Sequence, residues 1–267
     1  MRIYFSIIVL LFTYQGFSQE INGRAYYTSM IKSEKPELTE KQMENPQIRA
    51  LAEQLDQAFT DDFILEFTQE ESVFRKQPKL KKPNLKGGNI SISRSLMSDD
   101  EIHYKNLQKS EFLNSKELYG KQFLIKDDIE TPDWQLSNES KTIGDYVCFK
   151  ATYVPKFEAS EDSEDSEEDA PRLRSGPDDK EIIAWYTPQI PVKNGPMEYD
   201  GLPGLILEVQ DGSLKLLCTK IVLNPEEKIE ITAPRKGKKV NQKEFKAIMK
   251  QKNAEMMENF KSQNRRN

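Results

Sequence analysis

Gly201-Leu202-Pro203-Gly204-Leu205-Ile206 runs on into Leu207-Glu208-Val209 and follows Asn194-Gly195-Pro196. It reads as a turn driven straight into an apolar strand. Pro203 fixes its own φ, Gly204 is free to take a left-handed conformation, and Leu205-Ile206-Leu207 opens a run without polar alternation. Such a run belongs in the interior of a sheet covered on both faces. No group in the stretch can act as an acid, base or nucleophile, so its expected role is structural.

Working outward, the neighbouring segments are strand-like as well. Lys141 to Val154, entered through Trp134-Gln135-Leu136, reads as the longest strand, and Ile182–Tyr186, Leu205–Val209 and Leu214–Leu223 are its expected partners. Further upstream, Ile21–Lys32 reads as a first strand, Phe63–Thr68 and Ser72–Arg75 as a hairpin, and Pro78–Gly88 as a solvated loop. Ile90–Leu96, Ile102–Asn106, Lys109–Leu113 and Gln122–Ile125 follow as short strands with tight links, the pattern of an antiparallel meander and not of βα units. Thr39 with Gln42 and Asn45-Pro46 offer helix starts, after which Ile48, Leu51, Leu55 and Phe59 fall at helical spacing up to about Thr60. The expected fold is α+β and mainly antiparallel β. It is a curved sheet or half-open β-barrel, by analogy with periplasmic lipoprotein carriers, with one N-terminal helix and a basic C-terminal helix.

The ordered set Lys141 to Ala151, Ala184-Trp185-Tyr186, Ile190-Pro191, Gly195-Pro196 and Gly201 to Ile206 resembles the GLPGLI family, envelope proteins of Bacteroidetes-type bacteria with no assigned biochemical role. The resemblance is specific over residues 134–209 and general in layout over 20–130. It implies an exported antiparallel β protein encoded near outer-membrane receptors, and it carries over no catalytic residue.

The N-terminus agrees with export. Arg2, an apolar run from Ile3 to Phe12 and the small-residue exit at Gly16-Phe17-Ser18 form the pattern of a signal peptide over residues 1–19, with a run too short to span a bilayer. Residues 20–234 are expected to form a single domain, interrupted at 157–180 by an acidic insertion. Eight acidic residues between Glu158 and Asp169 have no basic neighbour among them, and such a block cannot form a core. Residues 235–267 invert the sign with eleven Lys or Arg against three Glu, a net of +8 in a chain of −5 overall. There Asn241 and Glu244 can start a helix carrying Phe245, Ile248, Met249, Met256 and Phe260 on one side. That helix can dock on its own sheet or make peripheral contact with an anionic membrane.

Cys148 and Cys218 lie in strand-like segments of a chain expected to be exported, so a disulfide and two buried free thiols are both open. Two cysteines and the single His103 are too few for a metal site at these spacings, and Gly87-Gly88 is a bare turn, so no cofactor is expected. Nucleic-acid binding does not fit a net charge of −5. Two function classes remain. The first is a non-catalytic envelope binding or accessory module taking an apolar ligand or an outer-membrane partner on the concave face, with Tyr146, Trp185 and Tyr186 as candidate contacts. The second is a hydrolase with a site around His103, which requires a serine or acidic group within reach of the imidazole.

Overall fold

Burial alternates along Gly23–Ile31 (β1), with Ala25, Tyr27 and Ser29 inside and Arg24, Tyr26 and Thr28 at the surface, as expected of a strand with one covered face. The computed structural model describes residues 21–31, 44–49, 60–78, 96–155 and 181–264. The signal peptide, the acidic block, the Pro78–Gly88 loop beyond residue 78, residues 90–95 of the Ile90–Leu96 strand and the Thr39–Gln42 cap lie outside the described residues. The N-terminal helix is described only over 46–49 (α1), where Asn45 caps it through Oδ1 and the Gln47 amide at 2.9 Å.

The remaining strands are Thr60–Phe67 (β2), Glu71–Lys76 (β3), Ile102–Asn106 (β4), Glu111–Leu118 (β5), Lys121–Asp128 (β6), Gln135–Ile143 (β7), Tyr146–Tyr153 (β8), Ile182–Thr187 (β9), Leu205–Asp211 (β10), Leu214–Leu223 (β11) and Lys238–Val240 (β12), and a helix, Gln242–Asn264 (α2), follows them. The twelve strands of the described residues form one sheet in the order β12-β6-β5-β4-β3-β2-β1-β11-β10-β9-β8-β7. Every pairing is antiparallel except β12 with β6. The sheet is curved and does not close into a barrel: β7 and β12 are its two edges. β7 tolerates this position because its centre, Ser137 to Thr142, is polar and largely exposed.

Two sequence expectations are corrected. Lys141–Val154 is not one strand: Gly144, at φ 57°, turns the chain back at Gly144-Asp145, and β7 and β8 pair as a hairpin. β8 then pairs with β9, but β10 pairs with β9 and β11, and β11 with β10 and β1. The three-residue β12 carried no strand signal in the sequence.

The core lies on the sheet face bearing Ala25, Tyr27, Phe63, Leu65, Phe67 and Phe74. On the opposite face a smaller cluster of Val73, Tyr104, Leu113 and Leu124 is covered by Ile231 and Ala233 of the segment that leads to β12.

Candidate functional site

The segment between β9 and β10 covers the inner face of the sheet. Ile190, Val192, Met197, Tyr199 and Leu202 are all buried in the main core beside Phe63, Phe67 and Phe74. The concave face proposed from sequence as a ligand surface is therefore filled by the protein's own chain. The Gly201–Ile206 stretch ends this segment. Leu202, Leu205 and Ile206 are buried, Pro203 is exposed, and the Leu205 and Ile206 amides donate to the carbonyls of Ile190 (2.9 Å) and Asn194 (3.0 Å). The left-handed glycine is Gly201, at φ 83°, and not Gly204. Gly204 is required for a different reason: a Cβ there would overlap the backbone carbonyl of Thr187.

A buried polar network ties this segment to β3 and β4. The Lys105 ammonium donates to the carbonyls of Gly195 (3.2 Å) and Tyr199 (2.9 Å) and lies 3.5 Å from Asp200 Oδ2. Ser72 Oγ donates to Asn194 Oδ1 at 3.1 Å, Trp134 Nε1 to the Asp200 carbonyl at 2.8 Å, and Tyr199 Oη to Asp211 Oδ2 at 2.6 Å. Burial lowers the Lys105 pKa against the pull of Asp200, and burial raises that of Asp200 against the pull of Lys105. Nothing in the sequence singles out Lys105 as an interior residue. With its side chain almost fully enclosed, it fastens backbone and offers no surface for chemistry.

His103 is buried on the same face, two residues before Lys105 in β4. Its Nε2 is 2.9 Å from Glu101 Oε1, which also accepts from Asn114 Nδ2 at 3.1 Å and lies 3.8 Å from the Lys116 ammonium. Burial works to raise the Glu101 pKa, but His103, Lys116 and Asn114 together hold it below the usual carboxylate value. His103 Nδ1 and Asn114 Oδ1 are buried without a hydrogen-bond partner. The imidazole packs edge-on against Phe112 at 5.7 Å. The acidic group required by the hydrolase reading is thus within reach of the ring. Its hydrogen-bonding partners among the described residues are Glu101 and Asn114, and neither is a hydroxyl or a thiol.

The three aromatic candidates are not brought together. Trp185 and Tyr186 are successive strand residues and point to opposite faces. Trp185 lies under the Lys141 ammonium at 4.2 Å, in a cluster where Lys141 (2.8 Å) and Lys215 (3.2 Å) both pair with buried Glu208. Tyr186 is buried beside Phe149. Tyr146 alone borders open space: with Ile143, Gly144 and Asp145 at the β7–β8 turn it faces Leu207 and Cys218 to Ile221 across a recess of about 300 Å³. A second recess of about 330 Å³ is lined by Tyr26, Tyr27, Thr28, Asp62 and Gln77 and shares Thr219 and Lys220 with the first. The ladder between β1 and β11 shifts register at Tyr26/Tyr27, which leaves Thr219, one of the shared residues, without a ladder partner.

Cys148 and Cys218 are both free thiols and both buried in the main core. Their strands are three positions apart in the sheet, yet the curl brings them close enough for a charge on Cys148 to disfavour one on Cys218. Burial pushes the Cys148 thiol up to about 11 and the Cys218 thiol to about 12.

The C-terminal helix docks on its own sheet through its first turns. Asn241 and Glu244 form a reciprocal capping box, with Oδ1 accepting from the Glu244 amide (2.8 Å) and Oε2 accepting from the Asn241 amide (2.9 Å). Phe245 is buried against Phe123, Ile125 and Val240, with Ile248 beside them, whereas Met249 and Met256 are exposed.

Residues 134–208 match the model of a family described as a protein of unknown function (Porph_ging), a span from β7 through the inner-face segment into β10. No curated protein matches the chain. Among solved structures, PNGF-II in a C2 space group is similar at 12% identity with a TM-score of 0.48, covering 85% of this chain and 32% of that one. PNGF-II in P21 gives 12% identity, a TM-score of 0.47 and the same coverage. The chain thus spans about a third of the length of the solved structures it matches.

Proposed function

We propose that this protein is an exported, non-catalytic accessory module of the cell envelope, which engages an outer-membrane partner at the surface where β1, β11 and the β7–β8 turn meet. The observation that carries the reading is the pair of adjoining recesses around Thr219 and Lys220. Three tyrosines, Tyr26, Tyr27 and Tyr146, border them together with Thr28, Asp62, Gln77, Asp145 and Lys220. Such mixed walls suit the polar surface of a partner better than an apolar ligand, which would have to displace Ile190, Met197 and Leu202 from the inner face.

A photo-crosslinking amino acid placed at Tyr26 or Tyr146 tests this in fractionated cells. The expected result is one defined adduct in the outer-membrane fraction, lost with Lys220→Glu and absent when the crosslinker replaces exposed Leu136 at the far end of β7. Mature protein that begins at Met1 and fractionates with the cytoplasm, or equal labelling from Leu136, would defeat the proposal.

The Glu101–His103 pair supports a second reading, a hydrolase in which His103 Nδ1 is the base. It requires substrate to reach a nitrogen that is buried in this structure. A hydrolytic activity abolished by His103→Ala in a protein of unchanged stability would favour it.

A further inference from the structure

Within the sheet, Lys116, Lys126, Lys141, Lys150 and Lys215 each meet a carboxylate. The stretch that runs through β12 into the first turn of α2 differs. Arg235, Lys236, Lys238, Lys239, Lys243 and Lys246 are all exposed, and none of them makes an ion pair among the described residues. The single acidic residue among them, Glu244, is engaged in capping the helix, its Oε2 accepting from the Asn241 amide at 2.9 Å. Residues 235–246 therefore carry a net charge of +5 with no internal neutralisation.

This patch offers charge and little else. Its apolar side chains, Val240 and Phe245, are buried, so it presents nothing to insert into a bilayer and no ring on which a base could stack. Both recesses lie elsewhere on the molecule. Six separate cations on an open surface suit a flexible polyanion, and the chain itself supplies one. Glu158 to Asp169, between β8 and β9, holds eight acidic residues and no basic one.

We propose that the patch formed by residues 235–246 binds the acidic block Glu158–Asp169 of a second copy of this chain. Charge complementarity selects the occupant, because a single exposed ion pair contributes little whereas many acting together steer and hold a partner. Reach selects the second copy. β8 lies ten strand steps from β12, about 48 Å along the sheet at about 4.8 Å per step. The middle of the block, about ten residues beyond Tyr153, extends only about 35 Å when fully stretched. A second copy meets no such limit, and since each copy carries one block and one patch, two copies can exchange blocks reciprocally. This inference does not depend on the recesses around Lys220.

The test is sedimentation of the full chain over a concentration series at low and high salt. Association beyond the monomer is expected at low salt, weakening by about tenfold or more at high salt. Two variants separate the halves of the contact: Glu161→Gln/Asp162→Asn/Glu164→Gln/Asp165→Asn in the block, and Lys238→Glu/Lys239→Glu/Lys243→Glu at exposed positions of the patch. Each alone is expected to be monomeric. Mixed one to one they should associate again, because each retains the half that the other lacks. A wild-type monomer at low salt, association unaltered by either variant, or a mixture that stays monomeric overturns the proposal. So does a low-salt monomer that expands on adding salt, which would put the block on its own patch.

Discussion

Replacing Lys105 by methionine keeps the apolar stem of the side chain and removes its ammonium, which faces two carbonyls and Asp200. Asp200 is 1% exposed and Oδ2 has no hydrogen bond, so the variant leaves a carboxylate enclosed beside two carbonyls that lose their donor. Removing one partner of a buried pair costs about 3–5 kcal/mol. For a chain of this size that corresponds to a fall in Tm of about 10 °C. Urea unfolding followed by tryptophan fluorescence is a suitable assay, because Trp134 Nε1 is bonded to the Asp200 carbonyl and reports on the same segment. Lys105→Met/Asp200→Asn should recover most of the loss, since the stranded charge is gone. Asp200 has a raised folded-state pKa, so its contribution is present below the unfolded value and is lost as pH rises through the folded one. The deficit of the single variant should therefore shrink as the solution is acidified and Asp200 takes up its proton. A Lys105→Met protein within about 1 kcal/mol of wild type would refute the view that this lysine fastens the inner-face segment.

Gly204→Ala, which drives a Cβ into the Thr187 carbonyl, should cost about 1–3 kcal/mol, and Ile206→Ala, at a fully buried site, about 2–5 kcal/mol. Pro203→Ala, at an exposed position in the same turn, should stay within about 0.5 kcal/mol; denaturant midpoints that failed to separate the three would contradict a packing role for the motif. The folded-state pKa of Glu101 is depressed, so the stability it contributes is present above its unfolded value and is lost as pH falls through the folded one. Glu101→Gln should flatten the acid limb of a Tm-against-pH curve, and an unchanged limb would place acid sensitivity elsewhere. Cys148 and Cys218, with thiols pushed up to about 11 and about 12, should resist maleimide in the folded protein at neutral pH and react at once in urea. Rapid native labelling of either would contradict their burial.

Local pattern made much of the fold legible. Aromatic and β-branched residues in Ile21–Lys32, Phe63–Thr68 and Ile102–Asn106 marked strands where β1, β2 and β4 lie, because such side chains pack well on a pleated surface. The cap at Asn241 and Glu244 marked the start of α2 for an equally local reason. The apolar run after Gly204 correctly indicated an interior strand, and the turn before it was read as structural. Local pattern misled where two signals conflicted: the apolar residues of Tyr146–Tyr153 outweighed Gly144-Asp145 and hid the β7–β8 turn.

What decided the site was long-range and left no periodic trace. That the 188–204 segment fills the concave face depends on a lysine about ninety residues upstream, and an isolated Lys105 looks like any solvated strand lysine until the fold encloses it. Gly204 was recognisable as a special glycine, but the cause is the approach of the Thr187 backbone and not its own torsion, a distinction only packing can make. The meeting of the β7–β8 turn with β11, three strands away in the sheet, follows from curvature, which sums small twists over twelve strands and is invisible in any one of them. The sequence by itself therefore determined which segments are strands and which charges lie at each end of the chain. Only the tertiary structure decided which face is closed, where the recesses open and how far α2 extends past its support, because each depends on contacts between segments distant along the chain.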